Sequence, residues 1–231
     1  MAYGSGAYGA LAYGALPPIF RSAPTYPLAM PRDDKIKSLR LGFRPVSGSN
    51  ESPFTFQRQV FQWSGERWFG ELALVPLQPV DAGAFHAFFM SLDGVKGTFL
   101  AGNPNRSVSM GQARLLPGTP VVNGTGQTGQ SLNIRGLPAS RSGYLVPGDH
   151  VQLGTGSTTR LHMVMQAVNS DANGKATVVV RPRIKTAPAD GAPLVVADAH
   201  GIWSLASNDY SWLEDATLLA QGITLAIQEP R

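Results

Sequence analysis

Four histidines, His86, His150, His162 and His200, are the side chains best suited to acid–base or metal chemistry in this chain of 231 residues. None stands at the close spacing of a helix-borne metal pair, and no cysteine is present to supply a thiolate ligand or nucleophile. Asp149-His150 sets a carboxylate beside an imidazole, the pairing that orients a general base. Neighbours on a strand point to opposite faces, so Pro147-Gly148-Asp149 reads instead as a turn entering a strand. His86 flanks an apolar stripe and reads as a surface or groove histidine. Gly124-Thr125-Gly126-Gln127-Thr128-Gly129 spells GxGxxG, the pattern of a dinucleotide loop. Such a loop needs a helix opening at the glycines; here Gln130 leads into a strand-like stretch and Leu137-Pro138 forbids a helix. Gly129 is followed by Gln130-Ser131 and not by Lys, so it is no phosphate-cradling Walker loop either. No Gly-x-Ser-x-Gly elbow occurs. Nothing assembles a nucleophile, a base and an orienting group. The expectation is a protein that is not an enzyme, with no catalytic, cofactor-binding or metal-binding residues.

The composition agrees with a scaffold punctuated by turns. There are 26 glycines and 18 prolines, 43% of residues are hydrophobic, and only 15% are charged. An all-helical bundle is incompatible with that many helix breakers. No run of about 18 apolar residues suggests a membrane span, and the start, Met-Ala-Tyr-Gly-Ser-Gly, lacks the basic and apolar blocks of a secretory signal. A net charge of +4 is too weak for the dense basic stripe of a nucleic-acid binder. Arg181, Arg183 and Lys185, alternating on a strand, read as a solvated face, and Glu66 and Glu71 as exposed turn and strand charges.

The elements that would carry these residues are mostly strands. Ile36 to Arg44 puts Leu39, Leu41 and Phe43 on one face. Phe54 to Trp63 and Trp68 to Val75 read as a hairpin turned by Ser64-Gly65-Glu66-Arg67, with Trp63 and Trp68 close together near its tip. Asp81 is placed to cap a helix whose stripe is Phe85, Phe88, Phe89 and Leu92, ended by Gly94. Gly97 to Ala101 is a returning strand. From 112 to 198 short β runs alternate with Gly, Pro and Asn turns, predicting a small barrel or sandwich; the Asn173-Gly174 turn separates the last two runs. Gly201 to Leu205 and Gly222 to Gln228 alternate as strands that complete the sheet begun before residue 101. Residues 211–220 fit a helix or a strand equally.

The fold class is therefore mainly β with one flanking α-helix and an inserted β-barrel or sandwich. The division runs as a low-complexity arm at 1–31, a β domain built from 32–111 and 199–231, and an inserted β domain at 112–198. The arm repeats Ala-Tyr-Gly three times before Pro17-Pro18 and cannot build a core alone. Its Tyr3, Tyr8, Tyr13 and Tyr26, together with Trp63 and Trp68 of the hairpin, are the candidate inter-subunit contacts.

Three features in this order resemble the distal tail proteins of long-tailed bacteriophages: the aromatic stretch Phe54–Val75 with its following Phe-rich helix; Gly94-Val95-Lys96-Gly97-Thr98-Phe99-Leu100-Ala101-Gly102-Asn103-Pro104; and Pro147-Gly148-Asp149 to Gly154 with Arg181-Pro182-Arg183-Ile184. They span residues 36–228. The resemblance implies a tail-tube-like domain of two sheets and a helix, assembled as a ring of six copies between the tail tube protein and the tail-tip hub protein. It places the protein in the virion tail tip, assembled in the host cytoplasm, with no membrane or direct nucleic-acid partner. Two alternatives are another tube or terminator component, which the inserted stretch argues against, and a carbohydrate-binding tail module. In the second, Trp63, Trp68, Tyr144, Trp203 and Trp212 would be stacking platforms in place of core or interface aromatics.

Overall fold

The computed structural model describes residues 24–211, 213, 214, 220, 221 and 223–230. Tyr3, Tyr8, Tyr13 and Trp212 lie outside the described residues. The chain runs through β1 (Leu28–Ala29), β2 (Ile36–Glu51), β3 (Arg58–Leu74), α1 (Pro79–Ser91) and β4 (Thr98–Gly102). It continues through β5 (Val121–Val122), β6 (Gly129–Arg135), β7 (His150–Leu153), β8 (Arg160–Val164), β9 (Ala176–Ile184) and β10 (Leu194–Val195). It ends through β11 (His200–Leu205), β12 (Leu213–Glu214), β13 (Ala220–Gln221) and β14 (Thr224–Gln228). This is a mainly β fold with one α-helix among the described residues, as the alternation of the sequence predicts.

Strands from the two ends of the chain share one sheet, in the order β1-β4-β11-β14-β3-β2, with only β1 and β4 parallel. The period of two in β14 explains its central place: Ile223, Leu225 and Ile227 are buried while Thr224 and Ala226 face out. Against the inner face lies α1, whose Phe85, Phe88, Phe89 and Leu92 are all buried, with Phe88 edge-on to Phe99 of β4. The helix starts two residues before the expected cap. Pro79 takes the first turn, where its missing N–H costs nothing. Asp81 makes no cap and instead pairs with Arg32 and Lys35, each at 3.4 Å. Gly94 follows the last turn at φ +68°.

The second sheet, β10-β7-β8-β9-β6-β5, curls until its edges nearly meet. Val121 bridges to Pro193, Leu194 N–H donates to Pro120 O and Val122 N–H to Ala192 O, both at 2.9 Å. Such closure removes the bare edges a six-stranded open sheet would present. Its core is Val122, Leu132, Ile134, Tyr144, Leu145, Val151, Val178 and Val180. The Gly143–Val146 run forms no strand beyond a bridge from Leu145 to Val168. Residues 213–214 and 220–221 pair as β12 and β13, so 213, 214 and 220 of the ambiguous segment are strand.

The largest difference from the expected elements lies in the aromatic hairpin. Residues 64–67 make no turn; β3 runs straight through them, paired with β2 at Arg44–Arg67 and Pro45–Glu66. A register shift between Pro45 and Ser47 absorbs the irregularity, since Pro cannot donate to the ladder. The hairpin reverses at 52–57. Lower down, Gly70 lets β2 and β3 approach, because a Cβ there would sit 2.1 Å from Arg40 O.

Candidate assembly surface

Two surfaces gather the polar and aromatic side chains singled out above. The first is the distal part of the β2–β3 pair. β14 pairs with β3 only from Phe69 to Ala73. Beyond that, the pair continues for nine residues of β2, Phe43–Glu51, about 30 Å at strand rise, and past Glu66 it is a two-stranded ribbon with no further strand paired to either side among the described residues. Its tip is built by short-range bonds. Phe56 N–H donates to Ser52 O at 2.9 Å, Ser52 N–H donates to Gln57 O at 3.0 Å, and Ser52 Oγ accepts from the amides of Phe54 and Thr55. This turn holds Phe56 at φ +53°, a conformation costly for a bulky side chain. The result displays rather than hides its aromatics: Phe54 is 91% exposed and Phe56 75%. Val46, Val60 and Phe61 are exposed along the ribbon, and Trp63 lies over Gly48 with 56% of its surface open. Val60 and Phe61 are consecutive on β3 and point to opposite faces, so apolar side chains stand open on both faces of the ribbon, a display that fits an interaction surface.

The expected interface aromatics therefore separate. Trp63 is on the exposed ribbon, whereas Trp68 is 4% exposed, edge-on to Phe43, and donates its indole N–H to Leu161 O at 2.8 Å. Trp68 belongs to the chain's own interior and is unavailable to a neighbour. Tyr26 is half-buried, and its hydroxyl donates to Ser91 O at 2.8 Å. Of the proposed sugar platforms, Trp68, Tyr144 and Trp203 are buried, and Trp203 donates to Ala101 O. Trp63 alone of the described ones is open to stack.

The second surface is the junction of the two sheets, which sequence reasoning missed. Glu66 is not an exposed turn charge: its side chain is fully buried and held by both Arg181 and Arg183. Arg183 contributes its backbone N–H at 2.8 Å and its guanidinium at 3.2 Å. The expected solvated basic face is thus, at these two arginines, a clamp on a carboxylate from the other sheet. Nearby, Glu229 accepts from Trp68 N–H at 3.1 Å, and burial pushes its carboxyl above the usual range. No signal near Glu66 in the chain could have found this, because its partners lie 115 and 117 positions on.

The titratable pair Asp149-His150 is likewise structural. Asp149 is buried and accepts from Ser109 Oγ at 2.6 Å, Met110 N–H at 2.8 Å and Val146 N–H at 3.0 Å, which ties the 109–110 loop to the 146–149 turn. His150 and His162 are buried, and desolvation pushes both imidazoles down to about 4. His162 Nδ1 carries the proton it donates to Pro182 O at 2.7 Å, a contact that offsets part of the desolvation. Arg106 disfavours the charged form of His150 and Asp149 favours it, while Arg160 and Lys185 disfavour that of His162.

A pH dependence follows. In the unfolded chain these histidines take up protons near 6.5, but in the fold they resist until about 4. Stability is therefore complete above pH 6.5 and is lost as pH falls toward 4. Glu229, raised by burial, opposes this within the carboxylate range. In melts between pH 7.5 and 4.5, the melting temperature should fall steadily. His150→Leu, which removes a buried Nδ1 without a partner, should lower the acid-unfolding midpoint by about half a pH unit. An unchanged midpoint would refute the assignment.

The GxGxxG stretch forms a loop with positive φ at Gly124, Gly126 and Gly129, and it opens into β6 rather than a helix. Among the described residues, no group of three or more His, Cys, Asp or Glu side chains could hold a metal ion, and no helix is long and apolar enough to cross a membrane. No family model matches the chain, and no curated protein matches its sequence.

Proposed function

We propose that the chain is a structural subunit of a bacteriophage tail, forming the distal ring that joins the tail tube to the tail-tip hub. The observation that carries this reading is the ribbon, which presents two bare strand edges and a row of open aromatics that water cannot satisfy. A ring supplies the remedy, because each copy covers its neighbour's exposed edge and a closed arrangement leaves none over. The three stretches that resemble distal tail proteins give the reading its biological setting. The first of them carries the ribbon tip.

The test combines light scattering with negative-stain imaging of the purified protein and of tail particles that contain it. Annular particles of uniform subunit number are expected. The triple variant Phe54→Ser, Phe56→Ser, Trp63→Ser should keep its melting temperature, because these side chains are exposed, yet fail to form rings or enter tails. Normal assembly by this variant, or a chain that is monomeric alone and absent from tails, would overturn the reading. A glycan that binds the wild type and loses affinity on Trp63→Ala would favour the carbohydrate-binding alternative.

A further inference from the structure

A cavity of about 380 Å³ opens where the end of β9 and the β7–β8 loop meet the residue that follows β14. This volume lies within the range of small-molecule sites. Leu153, Ile184 and Pro193 give it an apolar wall, while Arg160, Lys185 and Glu229 supply its charge. Two cations thus face one carboxylate, and that carboxylate is already turned to the Trp68 amide.

The two cations are prepared differently. Arg160 is held in place by the carbonyls of Ser157, at 3.1 Å, and Thr159, at 2.7 Å, with its Nε 3.9 Å from Glu229. Its guanidinium is a fixed positive group on the cavity wall. Lys185 is exposed on the segment leaving β9, and its charge reaches both Glu229 and His162. The third cation at the cavity, Arg183, is engaged with Glu66, so Lys185 is the one placed to turn toward a ligand. The wall loop itself is braced. Thr155 N–H and Thr158 Oγ1 bond reciprocally with each other's groups across the turn, and Gly154 packs against Thr158 O where no side chain would fit. A braced wall, a fixed guanidinium and an exposed ammonium beside apolar side chains suit a ligand with one negative group on a compact body.

We infer that this cavity binds a small organic anion, a carboxylate or phosphate ester on a compact and partly apolar body, with Arg160 and Lys185 as its charge partners. The experiment is calorimetric titration of the full chain with benzoate and with phenyl phosphate, alongside neutral benzyl alcohol and inorganic phosphate. At least one organic anion should bind, and which of the two does so identifies the head group. Benzyl alcohol and inorganic phosphate should each bind at least about tenfold more weakly, since the first lacks the charge and the second the apolar body. Lys185→Glu, an exposed charge reversal that should leave the melting temperature in place, is expected to weaken organic-anion binding by about tenfold or more. The inference is overturned by no binding of either organic anion. It is equally overturned by benzyl alcohol or inorganic phosphate binding as well as the organic anion, or by full affinity in Lys185→Glu. Amide shifts of Gly154 and Lys185 on titration locate the bound anion in this cavity, and shifts confined elsewhere would refute it.

Discussion

Leu225→Asp is expected to abolish folding. Leu225 is 3% exposed on β14, between β11 and β3 in the middle of the first sheet, and belongs to the core that packs on α1. Losing the leucine removes about 2–3 kcal/mol of burial. The carboxylate adds several kcal/mol more, because it would enter a cluster of buried apolar side chains. Together these approach the whole stability of an ordinary domain, about 5–15 kcal/mol. Phe88→Asp acts on the same core from the helix side. The neighbouring Thr224→Asp is the control, since Thr224 faces out on the same strand and should move the melting temperature little. Circular dichroism and amide NMR should show a collapsed or unfolded chain for Leu225→Asp and native spectra for Thr224→Asp. A native melting transition for Leu225→Asp would mean that β14 does not present this face to the interior.

These positions were legible because one-dimensional periodicity carries them. The 3–4 spacing of Phe85, Phe88, Phe89 and Leu92 specifies which helix face is buried, and strict alternation does the same for Ile223, Leu225 and Ile227. The turn assigned to 64–67 failed for a physical reason. Ser-Gly-Glu-Arg has turn chemistry locally, but a long partner strand can pair straight through such a stretch when a register shift takes up the misfit at Pro45. The true reversal at 52–57 places Phe54 and Phe56 in the turn itself, where their β propensity points the wrong way. Local preference yields there to pairing on either side. The same misplacement moved Trp63 and Trp68 to a common tip, although Trp68 is an interior side chain held by a carbonyl 93 positions away.

Glu66 shows the other limit of sequence reading. Its partners lie 115 and 117 positions on, and nothing in its surroundings in the chain distinguishes it from a solvated charge. Only the meeting of the two sheets turns Glu66, Arg181 and Arg183 into one unit. An anion-binding cavity is invisible for the same reason, because Glu229 and Lys185 meet only once β14 and β9 are both in place.

Glu66→Ala should therefore loosen the junction while leaving each core its own packing. The carboxylate is fully buried and satisfies two guanidiniums and one backbone amide. Removing it leaves these donors partnerless at a site from which water is largely excluded. Because the two arginines keep a quarter or more of their side-chain surface open, part of the usual penalty of about 3–5 kcal/mol for breaking a buried pair is recovered by hydration. A loss of about 3 kcal/mol is expected. Its form matters as much as its size. With Trp68 and Glu229 left as the other named ties, the two sheets should unfold in separate steps, so urea curves should lose their single transition or show a reduced slope. Glu66→Gln keeps an acceptor for the Arg183 amide and should lose roughly half as much. Adding Arg181→Met and Arg183→Met to Glu66→Ala removes the unpaired cations and should restore most of the midpoint, as apolar replacement of a complete ionic cluster does. A midpoint and slope in Glu66→Ala equal to those of the wild type would show that the clamp contributes nothing to joining the sheets.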